Sequence, residues 1–174
     1  MRMFLIIILL SQCLFAQKHV QIAETFVGVR EKTGRNDGKE VEMFLKSVGL
    51  SKGYPYCAAF VSYCLTQANV KKPVVRSAMA RNFETRESIK AKDVLIGKNK
   101  VPPGSIIVWR KGSTVNGHAG FAVNWSGVKG NTIEANTSSG EKGSQSDGDG
   151  VFKRTRTIEP GNYFRITSFL PVTY

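Results

Sequence analysis

The spacing of apolar residues changes once along this chain, near residue 101. Before that point they recur at helical intervals. Val20, Ala23 and Val27, with Glu31 a turn on, mark a helix over 18–32; Val41, Phe44, Leu45 and Val48 mark another over 39–48, closed by Gly49. From Cys57 onward, Cys57, Phe60, Val61, Cys64, Leu65 and Ala68 share one face, while the more polar Ser62, Tyr63, Thr66, Gln67 and Asn69 take the other, so a third, strongly amphipathic helix is expected. After residue 101 come five β-rich runs: SIIVWR at 105–110, HAGFAVNW at 118–125, NTIEANT at 131–137, VFKRTRTI at 151–158 with its basic residues outward, and FRITSFL at 164–170. GRNDG at 34–38 and VPPG at 101–104 read as turns, and 138–150 as a long loop. The basic stretch 71–100 carries one weak helical signal, around 78–89. Helices first and strands second predict an α+β fold, an antiparallel sheet packed on helices. The 174 residues suit one domain, without internal repeats.

The first residues follow different rules. Arg2, an apolar run from Met3 to Leu10 and the small residue Ala16 have the layout of a secretory signal peptide, with cleavage expected after Ala16. Residues 1–16 are thus read as the signal and 17–174 as one domain, periplasmic or secreted. The run is too short to span a membrane well. The rival readings are an uncleaved anchor and a lipoprotein modified at Cys13, for which Gln12 makes LSQC a poor signal. The formal net charge is +12, and loss of Arg2 lowers it by one. Such a protein is drawn to polyanions. Export argues against nucleic acid and for an anionic cell wall, with the chain a monomer and no stable membrane span after cleavage.

Cleavage would also remove Cys13, leaving Cys57 and Cys64. On one helix their Cα atoms lie about 10.5 Å apart, beyond the roughly 7 Å limit of a disulfide. A free thiol in an exported protein needs a reason. Cys57 follows Pro55 and Tyr56 at the start of a helix, where the helix field lowers a thiol pKa and the backbone N–H of Cys57 itself is free to donate to an oxyanion. Sulfur attack on a carbonyl also needs a base. His19, just beyond the expected cut, is expected to be mobile, which leaves His118. Small Gly120 and Ala122 share the His118 face of its strand and would let a helix approach, while Phe121 and Val123 face away. IEANT then offers Glu134 and Asn136, on one side of the next strand, to orient the base.

Taken singly, each of these residues has a structural reading: a buried core cysteine, a strand histidine, a solvated Glu134. Their combination is more specific. Zinc fails on spacing, because C-x₆-C with one histidine lacks the usual ligand set. Asp147-Gly-Asp149-Gly lacks the full calcium ligand series and reads as a solvated turn. No metal or other cofactor is expected.

These segments together resemble the CHAP family, the cysteine- and histidine-dependent amidohydrolases and peptidases. YPYCAAFVSYCL resembles its nucleophile motif and GHAGFAV its Gly-His motif. VPPGSIIVWRK resembles the Pro-Gly-Asp strand, with Ser105 where the family usually has Asp, and IEANT resembles the Glu-x-Asn segment. EKTGRNDGKEVEMFLKSVGL looks like the helical start of bacterial members, so the resemblance covers roughly 22–157. It implies a papain-like fold and hydrolysis of amide bonds in peptidoglycan, with Cys57 as nucleophile, His118 as base, Glu134 orienting it and Asn136 in support. The expected activity is that of an N-acetylmuramoyl-L-alanine amidase or a peptide endopeptidase. Two rivals keep the fold and change the role: a non-catalytic wall-binding module, and an exported toxin against a competitor's wall.

The short link 125–131 predicts an antiparallel hairpin between the His118 strand and the Glu134 strand. Facing residues on a hairpin have a constant sum of numbers, so an even sum, 254 or 256, puts 118, 134 and 136 on one face. Glu134 carries charge and is expected to be the main partner of His118, ahead of Asn136, and to raise its pKa.

Overall fold

A computed structural model describes residues 17–140 and 147–174. The signal read over 1–16, Cys13 with it, and the middle of the 138–150 loop lie outside the described residues. Three helices lead the chain: α1 (Lys18–Glu24), α2 (Lys39–Lys46) and α3 (Cys57–Gln67). A single 3₁₀ turn (Ala80–Phe83), strand β1 (Ile89–Lys90) and a short helix α4 (Ala91–Leu95) cross to the second half. There β2 (Ser105–Lys111), β3 (Gly117–Ser126), β4 (Lys129–Thr137), β5 (Gly150–Thr157) and β6 (Phe164–Leu170) complete a six-stranded antiparallel sheet in the order β1-β6-β2-β3-β4-β5. The fold is α+β, with the N-terminal helices on the sheet, as a papain-like arrangement requires. No helix among the described residues is long and apolar enough to cross a membrane.

Both sheet faces are covered. Ile106, Val108, Ala119, Phe121, Ile133 and Ala135 pack with α1, α2 and α3. Ile107, Trp109, Ala122, Ile166 and Phe169 pack with Ala91 and Val94 of α4. That is why β2, in the middle, reads as a nearly unbroken apolar run instead of an alternating one. Ser105 closes the turn before it, its hydroxyl donating to Pro102 O at 2.6 Å.

Helix α3 departs from its sequence signature only in its first turns, where Cys57 to Ser62 are buried on every side between α1, α2 and the sheet; beyond them the expected polar side is kept, with Thr66, Gln67 and Asn69 exposed. Each large apolar side chain it buries, such as Phe60 or Leu65, contributes roughly 2–3 kcal/mol. The buried Ser62 is used internally: its hydroxyl donates to Ser77 O at 2.9 Å and accepts from Ser77 N at 2.8 Å. Arg76 adds donations to the Thr66 hydroxyl and to the carbonyls of Val70, Pro73 and Val75. These bonds pin the 71–80 segment along α3.

Three further expectations are corrected. The first helix stops at Glu24 and not near 32, because Gly28, at φ +95°, turns the chain so that residues 28–30 pair with the start of β5. No helix spans 78–89 beyond the 3₁₀ turn. Thr85 N is claimed by the Ser88 hydroxyl at 3.0 Å, and the Glu84 carboxylate accepts from Arg110 of β2 at 2.5 Å, so local side chains outcompete helical bonds. His19 is not mobile. It is fully buried, with Nε2 donating to Gly104 O at 2.7 Å and Nδ1 at 2.8 Å from the Tyr174 hydroxyl.

Candidate active site

Cys57 is the first residue of α3, after a Tyr56 N-cap whose side chain makes no capping bond. The first-turn N–H groups are left for the thiol and for a ligand. Cys57 is 5% exposed, at the floor of a cleft of about 530 Å³. Leu50, Tyr54 and Pro55 form one wall of this cleft, Ala78, Met79 and Ala80 another, with Lys111, Val115, Asn116 and Asp147 at its mouth. The Ala78–Ala80 wall is the end of the segment that Ser62 and Arg76 pin down.

His118 comes from the start of β3 and is fully buried. Its ring lies 5.1 Å from that of Trp109, which pairs with it across β2 and β3. Nε2 is 3.0 Å from Glu134 Oε2. With that carboxylate ionised, Nε2 carries the proton and donates it. Nδ1 makes no hydrogen bond of normal geometry, and the neighbour coupled to the ring on its other side is the Cys57 thiol. The register is the expected one through Gly120↔Glu134, Phe121↔Ile133 and Ala122↔Thr132, whose numbers sum to 254, before a bulge past Ala122 shifts it.

The small residues on the His118 face serve a different purpose from the one expected. Helix α3 packs on the opposite face, against Ala119 and Phe121, and reaches His118 only with its first residue. Gly120 instead makes room for Glu134: a Cβ there would lie 2.7 Å from Glu134 Cγ and 2.8 Å from Ile133 O.

Glu134 is buried and fully coordinated. Beside His118 it accepts from the Thr132 hydroxyl at 2.5 Å, and from Arg156 Nε at 2.7 Å and Nη2 at 2.5 Å. Sequence reasoning missed both donors. Arg156 is one of the β5 basic residues expected to face outward, yet its side chain is 13% exposed and its guanidinium lies 5.7 Å from the Trp109 ring centre. Only the even parity it shares with Glu134 could have flagged it. Arg154, also even, turns inward as well and donates to Ser138 O at 3.0 Å. Asn136 is directed elsewhere: its backbone is left-handed at φ 59°, and Nδ2 is 3.5 Å from Asp147 Oδ1. The structure thus brings Cys57, His118 and Glu134 into one array and turns Asn136 toward the cleft-side loop.

The electrostatics follow from this array. Burial pushes the Cys57 thiol up, but His118 and the backbone N–H groups of Ala119 and Ala58 outweigh it and hold the thiol below its ordinary value. Burial likewise disfavours a charged His118, yet Cys57 and Glu134 together push it up to about 9. Glu134 is raised by burial and brought down to about 2 by Arg156 and His118. The array therefore favours a thiolate–imidazolium pair backed by a carboxylate. For Cys64, seven residues along α3, burial outweighs a backbone hydrogen bond and drives the thiol well above the usual range. Neither cysteine is in a disulfide. Among the described residues no group of three or more His, Cys, Asp or Glu side chains is placed to hold a metal ion.

Comparison with known families matches residues 49–136 to the CHAP domain, a span of half the chain that begins just before the Cys57 helix and ends at Asn136. This is narrower than the 22–157 suggested by the motifs. No curated protein and no solved structure matches. CHAP domains are generally cysteine- and histidine-dependent amidohydrolases, and the family points to amidase or peptidase activity on peptidoglycan. With a matching stretch that holds Cys57, His118 and Glu134, the chain belongs to the CHAP family.

Proposed function

We propose that this chain is an exported hydrolase of peptidoglycan amide bonds, with Cys57 as nucleophile, His118 as acid–base and Glu134 as its orienting residue. The observation that carries this reading is the buried grouping of the Cys57 thiol, His118 and Glu134, with His118 bonded to Glu134 on one side and Cys57 lining a cleft on the other. In the first step the Cys57 thiolate attacks the amide carbonyl carbon, and the oxygen takes up the displaced electron pair close to the Cys57 N–H at the helix start. Collapse of this intermediate expels the amine, which leaves with the proton from His118 Nδ1, and a thioester remains. A water then gives a proton to His118 and attacks the thioester, restoring the thiolate and releasing the acid. Glu134 holds the ring throughout by its bond to Nε2 and steadies the imidazolium.

The basic charge suits an anionic wall, and the Met3–Leu10 run with Ala16 supports export to the periplasm or medium. Purified sacculi should lose turbidity with the wild-type protein and keep it with Cys57→Ala; sacculi untouched by the wild type would sink the proposal. Mass spectrometry of the released muropeptides separates the amidase from the endopeptidase. For export, the protein recovered from the envelope should begin near Gln17, and a diacylglyceryl group on Cys13 would overturn the soluble form.

A further inference from the structure

Resting on that reading of the site, we infer that Arg156 is a positioning residue of the catalytic array: its forked guanidinium holds the Glu134 carboxylate, in ionised form, at the angle His118 requires. It lies on β5, twenty residues beyond the end of the segment shared with the family. The geometry is that of a two-pronged clamp. Nε reaches Oε1 at 2.7 Å and Nη2 reaches Oε2 at 2.5 Å, and Oε2 is also the atom facing His118 Nε2 at 3.0 Å. Thr132 fills the remaining position on Oε1 at 2.5 Å. A planar fork of this kind fixes a carboxylate plane in a way a point charge cannot. The Trp109 ring lies 5.7 Å from the guanidinium carbon and 5.1 Å from the His118 ring, so the same indole packs beside both of the Glu134 partners.

The need for a second cation follows from burial. Glu134 and His118 have no exposed side-chain surface. A carboxylate there, backed only by a histidine that changes charge during the reaction, would face an uncompensated desolvation cost whenever the ring is neutral. The charged and titratable groups that face Glu134 are His118 from β3 and Arg156 from β5, with Cys57 of α3 beyond the ring; β2 offers only the Trp109 indole. Arg154, on the same side of β5, is spent on Ser138 O. Arg156 is the one member of this set whose charge stays constant through the cycle. It keeps Glu134 anionic when His118 gives up its proton.

The test compares wild type, Arg156→Gln and Arg156→Lys by sacculus hydrolysis and by the pH dependence of Cys57 alkylation with iodoacetamide, a readout that needs no substrate. In Arg156→Gln, Glu134 takes up a proton at higher pH and the imidazolium loses its counter-charge there. The acid limb of alkylation is expected to move up by about one pH unit, with kcat lower by about tenfold and KM little changed. Arg156→Lys keeps the charge and loses the fork, so its acid limb should stay with the wild type while kcat falls by about threefold. If the glutamine variant does not fold, the lysine variant still decides: kcat equal to wild type would overturn the clamp. An alkylation profile of Arg156→Gln superimposable on wild type, with only a lower Tm, would also overturn it. Should wild-type protein leave sacculi intact while the alkylation limb shifts as stated, the positioning role stands and the proposed substrate is what fails.

Discussion

The chain's two histidines are both fully buried, yet their surroundings drive the two rings in opposite directions. His19, the second residue of α1, reaches the turn before β2, with neutral partners only: Gly104 O, the Tyr174 hydroxyl and the Phe121 ring, tilted at 5.0 Å. Burial dominates there and pulls its pKa down to about 4. His118 pays the same desolvation cost, but a thiolate on one side and a clamped carboxylate on the other push it up to about 9. Burial alone makes a histidine a neutral structural clamp. Burial between two anionic partners favours its charged form, the form that steadies a thiolate.

The sharpest way to break this comparison is to remove each ring. His118→Ala should lower kcat on sacculi by about a thousandfold or more, with the fold kept. His19→Ala should leave kcat near wild type but cost about 3 kcal/mol through the cavity and the orphaned Gly104 carbonyl, seen as a Tm lower by roughly 10 °C. A fall in kcat for His19→Ala at temperatures where the variant is folded would merge the two roles. A smaller effect is expected from Gly120→Ala, which touches neither ring. The added methyl has no space beside Glu134 Cγ, so the carboxylate must shift from His118. We expect kcat to fall by on the order of tenfold to a hundredfold at similar KM; unchanged kcat would show that the Glu134 position is not critical.

Stability against pH separates the two sites more gently. Between pH 6.5 and about 4 the unfolded chain protonates His19 while the folded chain does not, so stability falls as pH drops through that window. The loss is roughly 3 kcal/mol when complete, at about 1.4 kcal/mol per pH unit. His118 has the opposite sign: its contribution is complete below pH 6.5 and is lost as pH rises through about 9. Glu134 contributes above pH 4.5 and loses that contribution as pH falls through about 2. Urea unfolding at pH 5 and pH 7 checks the first of these. Equal midpoints for wild type, or a midpoint lower at pH 5 than at pH 7 that survives in His19→Ala, would contradict the assignment.

What the sequence makes legible is local. Cys57 is marked by its place at a helix start, and His118 and Glu134 lie on strands joined by a short connection, so that strand parity alone predicts that these two meet. The missing pieces depend on distant contacts. His19 is held from 85 and 155 residues away, so nothing near it in the chain predicts its burial. Arg156 reads as an outward basic residue until the register of β4 against β5 is known, because alternation shows which residues share a face but not which face is in. The purpose of Gly120 is hidden for the same reason: smallness shows that something comes close, and only the fold shows that it is a carboxylate and not a helix.

With only two histidines in the chain, an NMR titration of the ring Cε1–H signals reads both environments at once. The thiolate–imidazolium account predicts that one ring, lost in His118→Ala, stays charged until pH is near 9, while the other, lost in His19→Ala, stays neutral down to about pH 4. The His118 ring should also titrate lower in Cys57→Ala, because one of its two anions is gone. Two rings that both titrate near the ordinary 6.5, with no response of His118 to loss of the thiol, would contradict the ion pair on which the proposed chemistry depends.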